Sequence, residues 1–141
     1  MKMTNKELEG FALAVRKRIV KMAYESDSNV HLGGALSIVD ILAVLYGNIL
    51  QGLDEPYETR DKFILSKGHG ALALFAVLGE KGIISEERLK SYLADGSNLC
   101  AHPVMEPEIG SGNINGSRNG TFCKAQRKKL SGIYDYRKWR K

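Results

Sequence analysis

Three histidines are the side chains of this sequence best suited to acid–base or anion-binding chemistry. His31 is followed closely by two glycines, His69 lies between two glycines, and His102 precedes a proline. An imidazole titrates near neutral pH and can donate or accept a hydrogen bond, so loop histidines suit anionic, hydroxylated ligands. A single loop histidine is more often solvated or structurally bonded. The similar setting of all three histidines raises the odds that they have a functional role.

The segment Ser66-Lys67-Gly68-His69-Gly70 carries the second of these histidines. A short apolar stretch precedes it and a longer apolar stretch follows it, which predicts a strand end before a helix. Open α/β sheets bind ligands at such positions, although an ordinary strand-to-helix turn has the same pattern. The segment matches neither a P-loop nor a dinucleotide fingerprint, and Lys67 is either a phosphate contact or a solvated lysine. No metal site is predicted, because Cys100 and His102 lack further ligands at a suitable spacing.

The secondary structure predicted around these histidines consists of several helices and one strand. A capping box at Thr4–Glu7 predicts a helix that runs to about Tyr24. The apolar run 35–50 predicts a helix buried on most sides, residues 62–66 a buried strand, and residues 71–81 a further apolar helix. Ser85 is expected to cap a fourth helix. The pattern suits the start of an α/β domain with a parallel sheet flanked by helices, which is incomplete within 112 residues.

Charge divides the chain into two unequal parts. The 141 residues carry a formal charge of +5, and 43% of them are hydrophobic, which is enough for a packed core. Residues 113–141 contain nine Lys and Arg and a single acidic residue, so the excess positive charge belongs to this tail. A basic tail with interleaved aromatic residues is one way to bind nucleic acid. With no apolar signal segment or membrane span in the sequence, a cytoplasmic protein without membrane contact is expected.

Three segments together resemble the amino-terminal, diphosphate-side part of transketolase. They are HLGGALSIVDILAVLY from His31, RDKFILSKGHGALALFAVLGEKG from Arg60, and GSNLCAHPV from Gly96. The second segment is the most specific of the three. The resemblance covers residues 4–112 and departs from the family pattern at Leu32, where the family has proline.

The resemblance implies an activity and a site. Transketolases transfer a two-carbon ketol unit between sugar phosphates and use thiamine diphosphate with a divalent metal, Mg²⁺. The family's histidines match His31, His69 and His102, which are implied to line the channel as catalytic residues. His69, Gly68 and Ser66 are implied to contact the cofactor, and His31 and His102 the substrate. A carboxy-terminal transketolase subunit, or a second copy of the chain, is the implied partner.

The tail does not contain the family motifs that should follow. Neither the glycine-rich segment that approaches the diphosphate nor the G-D-G metal motif is present after His102. Back-translation begun one nucleotide into the Asn115 codon permits M-G-H-G-M-G-L-S, which matches the missing glycine-rich segment. We therefore expect residues 1–112 to be a transketolase amino-terminal fragment that is inactive alone, and residues 113–141 to be a frameshifted, disordered tail.

Two other functions are compatible with the sequence. The chain could be half of another thiamine diphosphate enzyme, such as a deoxyxylulose-phosphate synthase or a dehydrogenase component. The Ser66–Gly70 motif argues against that alternative. The chain could also be a small nucleic-acid-binding module that uses the basic tail, for which binding should weaken steeply with salt.

Overall fold

A computed structural model describes residues 2–56 and 59–101 and the backbone of residues 111–112. His102 and the tail 113–141 lie outside the described residues. The roles expected for them therefore stay predictions.

The first helix, α1 (Asn5–Glu25), begins as its sequence predicts. The Thr4 hydroxyl accepts from the Glu7 backbone N–H, and the Glu7 carboxylate accepts from the Thr4 N–H at 2.7 Å. This capping box satisfies two donors that a helix start leaves without intrahelical partners. One face of α1 is buried and supplies part of the core: Ala12, Val15, Ile19 and Met22.

The apolar run that was expected to form one long helix is divided into three pieces. They are α2 (Leu32–Leu36), α3 (Val39–Val44) and a π-helical turn (Leu45–Ile49). The Ser37 hydroxyl donates to the Gly34 carbonyl at 3.0 Å, so it satisfies an acceptor at the end of α2. The prediction of one continuous helix was wrong, because the backbone at Ile38, with φ −114° and ψ 2°, leaves the helical conformation between α2 and α3.

The predicted burial of this run was also wrong in part. Ile41, Val44 and Ile49 are 61%, 41% and 51% exposed. Asn48, within the π-helical turn, both donates to and accepts from the Met3 backbone, at 3.0 and 2.7 Å. The run therefore packs against the core with one side only. Its last turn is hydrogen-bonded to Met3 at the start of the chain.

Helix α4 (Ala71–Glu80) lies at the centre of the described helices. Each residue from Ala71 to Leu78 is buried, and α1, α2, α3 and α5 (Glu86–Lys90) all pack against it. The helix ends before Gly82, whose φ of +72° is a conformation that glycine adopts without strain. The predicted helix 71–81 is confirmed, and its apolar surface is covered by other helices.

A half-buried arginine joins three helices at this carboxy-terminal end of α4. Arg18 of α1 contacts Glu80 of α4 at 2.6 Å and Glu86 of α5 at 2.5 Å. Ser85 caps α5 by accepting from the Arg88 N–H, as its sequence predicts. The two ion pairs link α1 to the last residue of α4 and to the first residue of α5.

Two very short strands pair in parallel. Strand β1 (Phe63–Ile64) aligns with β2 (Ser111–Gly112), so that Phe63 lies opposite Ser111. The strand predicted at 62–66 is confirmed for these two residues, but its predicted burial was wrong, because Ile64 is 46% exposed and Phe63 is only partly buried. Two residues in each strand do not establish the predicted parallel sheet, and the described part of the chain is mainly helical. In residues 2–56 and 59–101, we find no helix with the length and apolar character needed to cross a membrane.

Candidate active site

His31 and His69 come together although they are distant in sequence. His31 directly precedes α2, and His69 lies in a 3₁₀ turn (Gly68–Gly70) that leads into α4. Their ring centroids are 4.3 Å apart and their planes meet at 67°, an edge-to-face arrangement. Both side chains are exposed. The two imidazoles thus form one exposed polar pair.

The residues predicted for cofactor contact lie in this same turn. Ser66 is exposed and directly precedes the Lys67–Gly70 segment, whereas Gly68 is buried beneath the surface. The structure therefore brings His69 into contact with His31, and Ser66 and Gly68 lie beside His69 in the chain. His102, the remaining predicted site residue, is not among the described residues.

Glycines allow the two histidine-bearing segments to approach each other. A Cβ atom on Gly34 would lie 3.1 Å from the His69 carbonyl oxygen and 3.4 Å from its Cβ. A Cβ atom on Gly70 would lie 2.6 Å from Ile38 Cδ1. A Cβ on Gly34 would require α2 and the His69 backbone to move apart by a few tenths of an ångström, whereas a Cβ on Gly70 meets only the end of the flexible Ile38 side chain. The glycines that the sequence places beside the histidines thus permit the close packing that brings the imidazoles together.

Lys67 makes contacts that sequence reasoning did not identify. Its Nζ donates to the Gly34 carbonyl at 3.1 Å and to Ser37 Oγ at 2.9 Å. Sequence reasoning offered a phosphate contact or a solvated lysine, whereas the ammonium is hydrogen-bonded within the chain. Its partners lie about 30 positions earlier, so no local spacing signal could have identified them.

The surface has the chemistry of an anion-binding site. Imidazole N–H groups donate hydrogen bonds, and the ten-residue α4 begins directly after the His69 turn. The positive end of a helix favours bound anions. Gly68, Gly70 and Ala71 are buried, so the exposed imidazoles are the groups that can contact an anion here. These features fit a diphosphate group. Among the described residues, no group of three or more His, Cys, Asp or Glu side chains could hold a metal ion.

Comparison with known families identifies the family of this chain. The family model described as "Transketolase, thiamine diphosphate binding domain" matches residues 12–123. The chain belongs to the transketolase family. The matched region contains α2, α4 and both described histidines, and it continues past residue 112, where the change in composition suggested a boundary.

Curated transketolase relatives give the same family. An apulose-4-phosphate transketolase subunit of Phocaeicola vulgatus is 42% identical over 93 residues, covering 64% of this chain and 33% of the relative. The protein of the same name from Actinobacillus succinogenes is 40% identical over 108 residues, covering 74% and 38%. The transketolase of Treponema pallidum is 34% identical over 104 residues, covering 72% and 16%. The chain thus spans little more than a third of the two apulose-4-phosphate transketolase subunits that it matches.

Proposed function

We propose that this chain supplies the diphosphate-side half of a transketolase that transfers a two-carbon ketol unit between sugar phosphates. The observation that carries the proposal is the exposed His31–His69 pair on the glycine-lined turn before α4. Family membership and relatives named as transketolase subunits support it. Apulose-4-phosphate and 6-deoxy-6-sulfo-D-fructose appear in relatives' names, which makes phosphorylated or sulfonated sugars the first substrates to try.

The proposed cofactor is thiamine diphosphate with Mg²⁺. When bound, it supplies stabilisation of the carbanion formed on the transferred fragment. In this chain, His69, Gly68 and Ser66 would hold the cofactor, with the imidazole donating to its anionic group. His31 and His102 would donate to substrate oxygens and orient the sugar phosphate. The start of α4 adds a positive electrostatic potential near the turn.

We propose that activity needs a partner. The chain would pair with a carboxy-terminal transketolase subunit, or with a second copy of the chain in an intact parent enzyme, and would be inactive alone. The relatives that are named as transketolase subunits support the first arrangement. A cytoplasmic location, expected from the amino-terminal sequence, stays a prediction.

The test is reconstitution of ketol transfer. The full chain is mixed with a carboxy-terminal transketolase subunit, thiamine diphosphate, Mg²⁺, and donor and acceptor sugar phosphates. We expect product from the mixture only when the chain carries the glycine-rich segment and the G-D-G motif restored in the alternative frame, and none from either protein by itself. In the mixture, His69→Ala should lower kcat/KM by about 10²-fold or more, a loss expected when a binding and orienting group is removed. Lys17→Met, at an exposed position of α1, is the matched control and should leave the rate unchanged.

Two results would contradict the proposal. One is ketol transfer that His69→Ala leaves at the rate of Lys17→Met. The other is failure of the chain to bind any carboxy-terminal transketolase subunit while other family members do so in the same assay.

We also propose that residues 1–112 are the functional family unit and that residues 113–141 are translated out of frame. The permitted M-G-H-G-M-G-L-S reading at residues 115–122 supports this. Sequencing the coding DNA from about codon 100 should reveal the G-D-G motif in the alternative frame. If no frame continues into family sequence, the tail needs another explanation, and binding to nucleic acid becomes the next test.

A further inference from the structure

The Lys67 side chain connects the two segments that carry the paired imidazoles. Its Nζ donates to Gly34 O at 3.1 Å and to Ser37 Oγ at 2.9 Å, and Ser37 Oγ donates to Gly34 O at 3.0 Å. The Lys67 ammonium, the Ser37 hydroxyl and the Gly34 carbonyl have matching numbers of donors and acceptors for these three hydrogen bonds. An ammonium has three donors, a hydroxyl both donates and accepts, and a carbonyl oxygen accepts two hydrogen bonds.

The hydrogen-bonded groups lie close in sequence to the two histidines. Lys67 lies two residues before His69, and Gly34 lies three residues after His31. Gly34 also approaches the His69 backbone, since a Cβ there would be 3.1 Å from His69 O. The hydrogen bonds of Lys67 therefore hold together the two pieces of backbone from which the imidazoles project.

We propose that Lys67 is a positioning residue, which holds His31 and His69 in edge-to-face contact by binding the turn after α2. The inference deepens the proposed function and rests on it for what the imidazoles do. The alternative from the sequence, that Lys67 binds a phosphate directly, would require Nζ to leave its two partners on the chain. Both hydrogen bonds are exposed to solvent, so water can replace them, and their loss should alter the geometry more than the global stability.

The test uses ring-proton contacts of the full chain in solution. The chain has only three histidines, so side-chain ¹⁵N-labelled histidine gives a simple NMR spectrum. A cross-peak between the His31 and His69 ring protons reports the 4.3 Å contact directly. The variants are Lys67→Met, which removes the donors and keeps a similar length, and Ser37→Ala, which removes one acceptor. Lys17→Met is the matched control.

We expect the cross-peak to be lost in Lys67→Met, weakened in Ser37→Ala and unchanged in Lys17→Met. The double variant should match Lys67→Met alone, because both changes break one network. A cross-peak of wild-type strength in Lys67→Met overturns the proposal, as does the absence of this cross-peak from the wild type. If Lys67→Met fails to give a folded amide spectrum, Ser37→Ala decides, and an unchanged cross-peak there overturns it.

Titration with thiamine diphosphate and Mg²⁺ in the reconstituted mixture separates this inference from the proposed function. A lost cross-peak in Lys67→Met without cofactor binding by any variant supports the positioning role and contradicts the proposed function. Weaker cofactor binding in Lys67→Met with an intact cross-peak identifies Lys67 as a direct phosphate ligand and overturns the positioning role.

Discussion

Helix α4 and the turn that precedes it are adjacent in sequence and differ sharply in environment. Residues Ala71–Leu78 are each at most 3% exposed, whereas His69, two positions earlier, is exposed. The helix needs apolar volume, which several hydrophobic side chains could supply. The turn needs particular residues, because glycines allow close approach and a lysine binds two specific acceptors. Changes in the helix should therefore act on stability, and changes in the turn on geometry.

The largest expected loss of stability comes from replacing Phe75 in the middle of α4, and it tests the difference between the helix and the turn. Phe75 is 2% exposed and packs edge-to-face on the Tyr92 ring, with the two ring centroids 6.0 Å apart. Phe75→Ala should lower the free energy of unfolding by about 3–5 kcal/mol, because it leaves a cavity that the helices cannot fill. Urea denaturation measures the change. Leu13→Ala, at a side chain that is 51% exposed, is the control and should stay within about 0.5 kcal/mol. Similar losses for both would mean that α4 is not the centre of the core.

The same substitution at two adjacent glycines of α2 should affect the stability and the histidine geometry differently. Nothing lies within 4 Å of a Cβ on Gly33, so Gly33→Ala should raise stability by up to about 1 kcal/mol through helix propensity. The same change at Gly34 meets the His69 backbone, which should cancel that gain and remove the His31–His69 ring contact. Thermal unfolding and the ring cross-peak measure the two effects. A Gly34→Ala variant that keeps the cross-peak would contradict the close approach.

Thr4 tests a local element far from the histidines. Thr4→Ala removes the hydroxyl that caps α1 and should cost about 1 kcal/mol of stability. Amide exchange should quicken in the first turn of α1, while the histidine ring contact stays. Lys6→Ala, which keeps the cap, serves as the control. A loss of the ring contact in Thr4→Ala would show that the site depends on the start of α1.

Tyr92 tests an effect on stability that is absent at neutral pH and present only at alkaline pH. Burial, and secondarily the nearby Cys100, raises the pKa of Tyr92 to about 12 from 10.0. Between these values the unfolded chain loses the phenolic proton and the folded chain keeps it, so stability should fall as pH rises from 10 to 12. Tyr92→Phe should make that decline shallower, as followed by urea denaturation at several pH values. An unchanged slope would show that other groups cause the decline.

Local signals in the sequence were the most reliable predictors of the fold. The capping box at Thr4–Glu7 and the cap at Ser85 are present as predicted, because each depends only on residues within one helical turn. The strand at Phe63–Ile64 and the helix α4 were also correctly placed. The apolar run 35–50 was predicted wrongly because hydrophobicity alone does not show where the backbone leaves the helical conformation or which side of the run meets a neighbour.

The sequence by itself determined the family, the candidate histidines and the glycines beside them, since these are carried by residue types in short motifs. Only the tertiary structure decided that His31 and His69 lie 4.3 Å apart and that Lys67 binds Gly34 and Ser37. These contacts join segments more than 25 residues apart, and their geometry depends on how α2 packs against α4. Packing of this kind arises from the whole core and is not encoded in any single motif.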